Sequence, residues 1–336
     1  MKEEVKALWK LCFNDSQEFI DMYFRMRYNN DVNVAIKSGE EVVSALQMLP
    51  YPMTYCGLTV HTSYVSGACT HPDFRGNGFM RELLSQAFTR MLHHRMHFST
   101  LIPAEPWLFD YYERMGYATV FHYAVKEITV PDFIPSKGVS VDLVTKYDEE
   151  VYQYLNSQLA KRTCCIQHTQ ADFQVIMEDL AISSGFLFVA RQEDRINGLA
   201  FVYKRGRQLI INEFLAEDKD VEHCLLHYTK QYTGCNQITQ LLPPEKKQAQ
   251  HRLGMARIIN AKEVLSLYAT AFPEQKMQLE LTDKHLSANN GYYYLYGGKC
   301  MFSDQRLPGA HLQMNIKDLT AKVFQRLNPY MSLMLN

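Results

Sequence analysis

The sequence predicts an α/β (α+β) protein with mixed sheets, arranged as three consecutive segments. Stretches with apolar residues at helical spacing alternate with short runs that are typical of strands. The order of elements in residues 1–135, which is helices, hairpin, strand and helix, recurs in residues 138–250. Residues 254–336 form a third pattern of helices and strands. We therefore expect a duplicated fold followed by a separate α+β unit.

The elements of the first segment follow from the spacing of its apolar residues. They are, in chain order, a helical stretch over residues 6–25, a hairpin over 33–48, a strand over 62–70, a helix with Met80, Leu83, Leu84, Ala87 and Met91 on one face, a strand over 98–102, a helix ending near 115–116 and a strand over 117–128. Two prolines within residues 131–135 predict the end of the segment.

The second segment is predicted to repeat the first without its glycine-containing loop. The expected elements are a hairpin over residues 185–203, a strand over 208–215 and a helix over 220–232 with Asp220 as its N-cap. Residues 216–219, between that strand and that helix, include two carboxylates, which would repel a phosphate. This copy is therefore expected to have no cofactor site.

The third segment, which begins near Gly254, ends in an unusual tail. The expected elements are a helix over residues 262–271, strands over 277–281, 291–296 and 310–316, and a helix over 317–327. Residues 330–335 are apolar, whereas mobile termini tend to be polar. We expect this tail to be tucked into the protein.

Charge and composition exclude several classes of protein. The chain has 35 Lys and Arg against 36 Asp and Glu, so it lacks the positive excess of nucleic-acid-binding proteins. No apolar run reaches the ~18–20 residues that span a bilayer, and the charged N-terminus lacks the apolar stretch of a signal peptide. We expect a cytoplasmic protein without nucleic-acid or membrane partners, whose eight cysteines are free thiols. No metal site is expected, because the His93 and His97 pair lacks a third ligand.

A glycine-containing loop between a strand and a helix is the strongest functional signal. In residues 68–80, glycines allow the backbone to approach a ligand closely, and Arg75 precedes the first of them. Free N–H groups at the start of the following helix favour an anion, so a pyrophosphate is the expected ligand. The loop matches neither the G-x-G-x-x-G dinucleotide pattern nor the G-K-S/T of a Walker loop. On the glycines alone, a tight connection between strand and helix is the alternative.

This loop resembles the acetyl-CoA loop of the GNAT (GCN5-related N-acetyltransferase) superfamily. The pattern of that superfamily, Arg/Gln-x-x-Gly-x-Gly/Ala, is matched at Arg75 and Gly78, whereas Met80 replaces the usual small residue. The resemblance implies that acetyl-CoA binds here and that no metal is required. The implied cofactor-binding residues are Ala68, Cys69 and Thr70 at the acetyl-pantetheine end, and Arg75, Gly76, Asn77, Gly78, Phe79 and Met80 at the pyrophosphate.

A second signature lies further along the chain. Residues 111–117, YYERMGY, resemble the Phe-Tyr-x-x-x-Gly-Phe motif of the same superfamily, which aligns its tyrosine with Tyr112. In GNAT enzymes this tyrosine commonly protonates the leaving thiolate. A phenol with a pKa near ~10 is protonated at neutral pH and can serve as that acid. The alternative for Tyr112 is an aromatic side chain that packs under the sheet.

The layout of the whole chain resembles the enhanced intracellular survival (Eis) family of acetyltransferases. That family joins two GNAT domains to a C-terminal sterol-carrier-like domain. Residues 257–260 and 289–292 carry this resemblance in the third segment. The Eis family also uses a Pro-Ser-Glu-like segment near the cofactor, which residues 103–105 resemble, and this implies a cofactor-binding role for Glu105.

The base of the reaction is implied by the same resemblance. Many GNAT enzymes place a carboxylate on the central strand, but residues 55–72 contain no Asp or Glu, and His61 and His71 are the only imidazoles there. In the Eis family the terminal carboxylate reaches the active site and serves as the base. Here that group would be the α-carboxylate of Asn336. An ordinary C-terminus that packs on its own domain is the alternative.

The expected activity is acetyl transfer from acetyl-CoA to a primary amine of a small cationic molecule by direct attack on the thioester. The acceptor class comes from the Eis resemblance, which also allows for a homo-oligomer. Two alternatives stay open. One is a longer-chain N-acyltransferase, as in the double-GNAT myristoyl transferases, and acyl-chain preference would separate it. The other is a non-catalytic protein that binds acetyl-CoA, or an apolar ligand in the third segment.

Overall fold

A computed structural model describes residues 1–132, 138–206, 208–244 and 249–335. In these ranges the helices are α1 (Lys2–Cys12), α2 (Gln17–Met26), α3 (Phe79–His93), α4 (Pro106–Arg114), α5 (Glu149–Ala160), α6 (Gln170–Ile182), α7 (Lys219–Thr233), α8 (Ala261–Ala271) and α9 (Ile316–Phe324). The strands are β1 (Asn33–Ser38), β2 (Glu41–Tyr55), β3 (Leu58–Thr70), β4 (Phe98–Leu101), β5 (Ala118–Thr129), β6 (Ser140–Val144), β7 (Cys164–Ile166), β8 (Phe186–Gln192), β9 (Arg195–Arg205), β10 (Gln208–Ala216), β11 (Gln237–Leu242), β12 (His251–Ile258), β13 (Met277–Thr282), β14 (Gly291–Tyr296), β15 (Lys299–Ser303) and β16 (Leu312–Asn315). The predicted α/β (α+β) class with mixed sheets is confirmed.

The helical stretch predicted over residues 6–25 is two helices, α1 and α2. Phe13, just after α1, has extended backbone angles (φ −118°, ψ 150°), which ends the first helix. The Ser16 side chain accepts a hydrogen bond from the Phe19 N–H and caps the start of α2. α1 packs on β2 and β3, and α2 packs on α6 of the second segment. The break between the helices places Cys12 beside the end of β3, where its Sγ contacts Thr70 O.

One large sheet runs through the first two segments. In the described part of the chain it has 12 strands, in the order β1-β2-β3-β4-β12-β5-β11-β10-β9-β8-β6, with β7 paired to β2. β12 lies between β4 and β5 and pairs antiparallel with both. The predicted start of the third segment near Gly254 therefore falls inside a strand of this sheet.

The two halves of the sheet share local features that support the predicted duplication. β3 pairs in parallel with β4, and β10 pairs in parallel with β11. β3 has a bulge between Ser66 and Cys69, and β10 has one between Ile211 and Glu213. In both halves the next long helix after the bulged strand is α3 or α7, and the glycine-containing loop precedes α3 only.

Two of the element boundaries that differ from those predicted lie beside side-chain caps. The assignment of Asp220 as the N-cap of α7 is wrong, because Asp218 occupies that position and its side chain accepts from the Val221 N–H. The strand expected over residues 310–316 is limited to Leu312–Asn315, since Asn315 caps α9. In both cases a side-chain cap sets the boundary, and apolar spacing does not show it.

A buried ion pair within the third segment is linked to the first segment by a hydrogen bond to its backbone. The four-stranded sheet of the third segment, in the order β15-β14-β13-β16, packs against α8 and α9. The side chains of Arg257 and Asp283 are fully buried, and Arg257 Nη2 lies 2.6 Å from Asp283 Oδ1. Arg257 Nε also donates to Met115 O at 3.0 Å, just after α4. Asn289 Oδ1 accepts from the Ala261 N–H, so the two stretches that carried the resemblance of this segment meet in the fold.

None of the helices in the described ranges combines the length and apolarity that crossing a bilayer requires.

Candidate functional site

A cavity of about 910 Å³, here called the first cavity, lies where the ends of α1 and β3, the glycine-containing loop and α4 meet. The predicted site residues that line it are Ala68, Cys69, Thr70, Arg75, Gly76, Gly78, Phe79, Met80, Glu105 and Tyr112. Asn77 is not among the lining residues. Its side chain turns into the loop, where Nδ2 donates to Phe74 O at 3.2 Å. The fold thus brings the loop, the strand before it and Tyr112 to one place.

The first cavity opens where β3 and β4 separate. Their parallel pairing ends at Tyr64 with Thr100, whereas β3 continues along β2 as far as Thr70 with Ser44. Among the described residues, the β4-facing edge of residues 65–70 has no strand partner, so backbone groups there other than Thr70 O, which accepts from Arg75 Nε and Cys12 Sγ, can bond to a ligand. The bulge in this stretch requires Gly67, because φ is 59° there and a Cβ would lie 2.0 Å from Trp9 Cζ3.

The glycine-containing loop presents a helix N-terminus to the first cavity. Gly76 and Gly78 have left-handed backbone angles (φ 81° and 82°), and Gly78 is the N-cap of α3. The first N–H groups of α3 lack intrahelical acceptors and lie at the positive end of the helix dipole. Arg75 Nε donates to Thr70 O at 3.2 Å, which holds the guanidinium at the end of β3. Met80, the departure from the loop pattern, packs partly against the core beneath α3.

Tyr112 lies on α4 and is both packed and exposed to the first cavity. Its ring contacts those of Tyr111 and Tyr117 at centroid distances of 5.4 and 5.7 Å. The residue is 8% exposed and lines the cavity. Burial raises the pKa of Tyr112 well above its ordinary value, and the nearby Tyr117, Tyr111 and Cys69 raise it further. Tyr112 therefore fits both interpretations drawn from the sequence, because its ring packs against other aromatic rings and the residue also borders the cavity.

Several residues that line the first cavity were not predicted from the sequence. Glu105, which was predicted, lies exposed at the N-cap position of α4 and makes no capping hydrogen bond. Trp107 follows it at the rim and is 65% exposed. The sequence could have indicated Trp107, because this aromatic residue in the first turn of an amphipathic helix lies outside the apolar face of that helix. Residues 12–14 and His285 also line the cavity, but only tertiary packing brings them there.

Neither imidazole of the central strand region lines the first cavity. His61 is exposed at the opposite end of β3, where its N–H lies 3.4 Å from His97 Nδ1. His71 accepts from the Asp73 N–H and caps the short turn over residues 72–74. In the described ranges, no group of three or more His, Cys, Asp or Glu side chains is arranged to hold a metal ion.

A second cavity, of about 710 Å³, adjoins the first. Asn14 lines both, so the two cavities are neighbours at the end of α1. The tail residues Met334 and Leu335 form part of the wall of the second cavity. Asn336 lies outside the described residues. The chain therefore approaches its end beside this cavity.

Carboxylates and cations both border the second cavity. Asp15, between α1 and α2, and Asp179, on α6, line it and are partly buried, whereas Lys204 and Arg205 lie exposed at the end of β9. Burial raises the pKa of Asp179 to about 6, and a hydrogen bond from Ser183 opposes this shift. The less exposed side of the cavity is therefore acidic.

The apolar tail is tucked into the protein, which confirms the prediction. The Tyr330 N–H donates to Cys164 O at 2.9 Å, and Tyr330 O accepts from the Ile166 N–H at 3.1 Å. The hydroxyls of Tyr330 and Ser332 donate to the buried Glu213 Oε2 at 2.8 and 2.5 Å. Burial raises the pKa of Glu213, while these two hydrogen bonds lower it. The residues of the tail that are almost fully buried are Tyr330, Met331, Leu333 and Leu335.

Comparison with known proteins identifies the fold. Residues 2–120 match a family model described as an acetyltransferase (GNAT) domain. A GCN5-related N-acetyltransferase from Anabaena variabilis has a TM-score of 0.76 at 18% identity, covering 98% of this chain and 91% of that chain. One from Kribbella flavida has a TM-score of 0.77 at 16% identity, covering 99% and 95%. Eis1 from Mycobacterium abscessus has a TM-score of 0.71 at 12% identity, covering 96% and 87%.

No curated protein sequence matches the chain. At these identities the solved structures show that the fold is shared over nearly the whole length, and Eis1 is among the structures that share it. The match of residues 2–120 to the acetyltransferase (GNAT) domain supports an N-acetyltransferase in general.

Proposed function

We propose that this protein transfers the acetyl group of acetyl-CoA to a primary amine of a small cationic acceptor by direct attack on the thioester. One observation carries the proposal: the unpaired edge of β3, the N-terminus of α3 and Tyr112 border the same cavity. A pantetheine thioester needs amide partners along its chain, an anion site for its pyrophosphate and an acid at its sulfur. The first cavity offers all three.

The residues present fit acetyl-CoA, which supplies the activated acetyl group when bound. In this proposal the backbone of Ala68, Cys69 and Thr70 holds the acetyl-pantetheine end and polarises the thioester carbonyl. The backbone of residues 75–80 and the Arg75 side chain hold the pyrophosphate, with Asn77 contributing only its backbone, since its side chain bonds to Phe74 O. Glu105 lies at the mouth of the cavity.

Tyr112 is the proposed acid. Because burial raises its pKa, its hydroxyl stays protonated across the neutral range and can protonate the departing thiolate. The packing against Tyr111 and Tyr117 restricts the ring to one orientation. A fixed donor of this kind avoids the cost of ordering the group during the reaction.

The proposed base is the α-carboxylate of Asn336. Support comes from the tail, which is anchored through Tyr330 and Ser332 and reaches the second cavity at Leu335. An α-carboxyl group has a pKa near ~3.5 in water and is a weak base there. Partial burial beside apolar tail residues would raise that pKa and make the group a better proton acceptor.

The second cavity is the proposed acceptor site. Asn14 borders both cavities, so an amine held in the second faces the contents of the first. Asp15 and Asp179 can pair with additional positive charges of the acceptor, while Lys204 and Arg205 stay exposed at the edge. This arrangement favours a compound with more than one amine.

Three further features complete the proposal and rest on the sequence alone or on the Eis resemblance. They are a sterol-carrier-like character of the third segment, a homo-oligomer and a cytoplasmic location without nucleic-acid or membrane partners.

Release of CoA from acetyl-CoA tests the activity. Product would be followed by chromatography with a panel of monoamines, diamines and polyamines, using untagged protein. Saturable, amine-dependent release is expected, strongest for polyamines and absent in Arg75→Glu. Arg25→Glu is the matched control, since Arg25 is an exposed arginine on α2 that pairs with Glu178 outside both cavities. Preference for butyryl- or myristoyl-CoA would favour the longer-chain acyltransferase. Binding of acetyl-CoA without turnover on any amine would favour a non-catalytic protein.

A further inference from the structure

Two cysteine thiols lie side by side in the wall of the first cavity. Cys12 is the last residue of α1 and Cys69 is near the end of β3, and their thiols lie close enough for each to change the pKa of the other. The Cys12 Sγ also donates to Thr70 O at 3.5 Å. Both residues line the cavity, with Cys12 half-buried and Cys69 buried. Neither thiol has a role in the acetyl transfer proposed above.

The surroundings make the two thiols chemically unequal. The hydrogen bond from Cys69 and the nearby Arg75 guanidinium lower the pKa of Cys12 to about 7, although burial opposes them. Arg75 is held there because its Nε donates to Thr70 O, the carbonyl that Cys12 also contacts. The pKa of Cys69 is raised, first by its hydrogen bond to Cys12 and then by burial. Cys12 is therefore the thiol of the pair that ionises more readily and attacks as a thiolate once it loses its proton, whereas Cys69 stays protonated.

Four of the six other cysteines have surroundings that raise their pKa values. Burial raises the pKa values of Cys56 and Cys300 to about 11. It also raises those of Cys164 and Cys165, which are adjacent in the sequence but fully buried. A thiolate that is accessible from a cavity and has a second thiol in contact is the arrangement typical of redox-sensitive cysteines.

We propose that Cys12 and Cys69 form a modification site for hydroperoxides, and that their oxidation to a disulfide closes the first cavity to acetyl-CoA. In the first step the Cys12 thiolate attacks a peroxide oxygen, the O–O bond breaks, and a sulfenic acid and hydroxide form. In the second step the Cys69 sulfur attacks the Cys12 sulfur, the S–S bond forms and the S–O bond breaks. The leaving hydroxide takes the Cys69 proton as water. With hydrogen peroxide, the two thiols lose two electrons and two water molecules result.

The bridge would alter the wall of the cavity. A disulfide bond is about 2.05 Å long, shorter than a hydrogen-bonded contact between two sulfur atoms, so it draws the end of α1 toward β3. Phe13 and Asn14 follow Cys12 directly and line the cavity, so they move with it. Bound acetyl-CoA would in turn cover Cys12. Binding and oxidation therefore oppose each other, and this coupling is reciprocal. The closure rests on the proposed function, because it acts on the same cavity.

Mapping of disulfides after peroxide treatment tests the modification site. Full-length untagged protein would be treated with hydrogen peroxide, alkylated to block remaining thiols, and digested for mass spectrometry. A Cys12–Cys69 peptide should form before other cysteines are oxidised, disappear on treatment with dithiothreitol, and form more slowly when acetyl-CoA is present. Calorimetric titration should then show acetyl-CoA binding that is about ten-fold weaker after oxidation and restored by reduction.

Two variants sharpen the result. Cys12→Ser should keep its reduced-state affinity for acetyl-CoA after peroxide treatment. Cys300→Ser, which removes a half-buried cysteine of β15, should respond to peroxide as the wild type does. Wild-type protein that yields no Cys12–Cys69 peptide, or that binds acetyl-CoA equally well when oxidised, would overturn the proposal. If the reduced protein binds no acetyl-CoA, the proposed function and the closure both fail, whereas the peptide map still decides the modification site.

Discussion

Replacing Glu213 with alanine should release the tail and leave the first cavity unchanged. The carboxylate is buried on β10 and accepts hydrogen bonds from the Tyr330 hydroxyl at 2.8 Å and the Ser332 hydroxyl at 2.5 Å. None of these three residues lines the first cavity. The substitution therefore separates the role of the tail from the binding of acetyl-CoA.

The size of the effect follows from the two hydrogen bonds. Each hydroxyl left without a partner costs about 1–3 kcal/mol, so tail docking weakens by about 2–6 kcal/mol. Removing Glu213 also relieves the desolvation of a buried carboxylate, which is the cause of its raised pKa. This gain offsets part of the loss, so the lower end, about 2 kcal/mol, is the expected net change. At 1.4 kcal/mol for each factor of ten, the ratio of docked to released tail falls about 30-fold.

Two measurements check this reasoning. Carboxypeptidase should remove the tail faster from Glu213→Ala, and kcat for acetyl transfer should fall about ten-fold or more while the Kd for acetyl-CoA stays unchanged. Glu213→Gln keeps an acceptor for both hydroxyls and should show a smaller effect. Glu217→Ala is the matched control, since Glu217 accepts from Arg195 at 2.9 Å and Asn197 at 3.0 Å without contacting the tail. A released tail with wild-type kcat would refute the terminal base, and an unreleased tail would refute the anchoring argument.

Three further predictions concern charge and proton transfer. Asp179 has its pKa raised by burial from 3.8 to about 6, so the folded state loses stability as pH rises through that value. Asp179→Asn should therefore increase the free energy of unfolding by about 2–3 kcal/mol at neutral pH, with no difference below the unfolded pKa, and equal urea midpoints at neutral pH would contradict this. Asp283→Asn leaves the buried Arg257 without its counter-charge and should lower the free energy of unfolding by about 3–5 kcal/mol. A loss under about 1 kcal/mol, the range of a surface ion pair, would show that the pair is not structural. Tyr112→Phe should lower kcat by about 10²–10⁴-fold with an unchanged Kd for acetyl-CoA, and full kcat in this variant would remove Tyr112 from the mechanism.

Local patterns in the sequence predicted the parts of the site that depend on nearby residues. The glycines of residues 75–80 and the helix after them form a strand–loop–helix unit, whose backbone conformation is set within a few positions. Tyr112 was chosen because residues 111–117 resemble a short motif of the GNAT superfamily. Its packing against Tyr117 and its access to the cavity both follow from the position on α4. Boundaries were less predictable, because caps such as Asp218 depend on single side chains.

Contacts between distant parts of the chain could not be predicted in this way. β12 pairs between β4 and β5 although it lies far from both in the sequence, and only the packed sheet reveals that position. The thiol of Cys12 reaches Cys69 because α1 ends where it crosses β3. Glu213, in the second segment, holds the C-terminal tail of the third segment. The spacing of residues around Glu213 and in the tail does not indicate that contact.

Calorimetric titration of acetyl-CoA into the reduced, untagged protein, beside Arg75→Glu and Arg25→Glu, tests the central claim most directly. Saturable binding at one site is expected in the wild type and in Arg25→Glu, and loss of that binding is expected in Arg75→Glu, whose side chain would place a negative charge at the pyrophosphate position. Absence of binding in the wild type, or undiminished binding in Arg75→Glu, would contradict the assignment of the first cavity to acetyl-CoA.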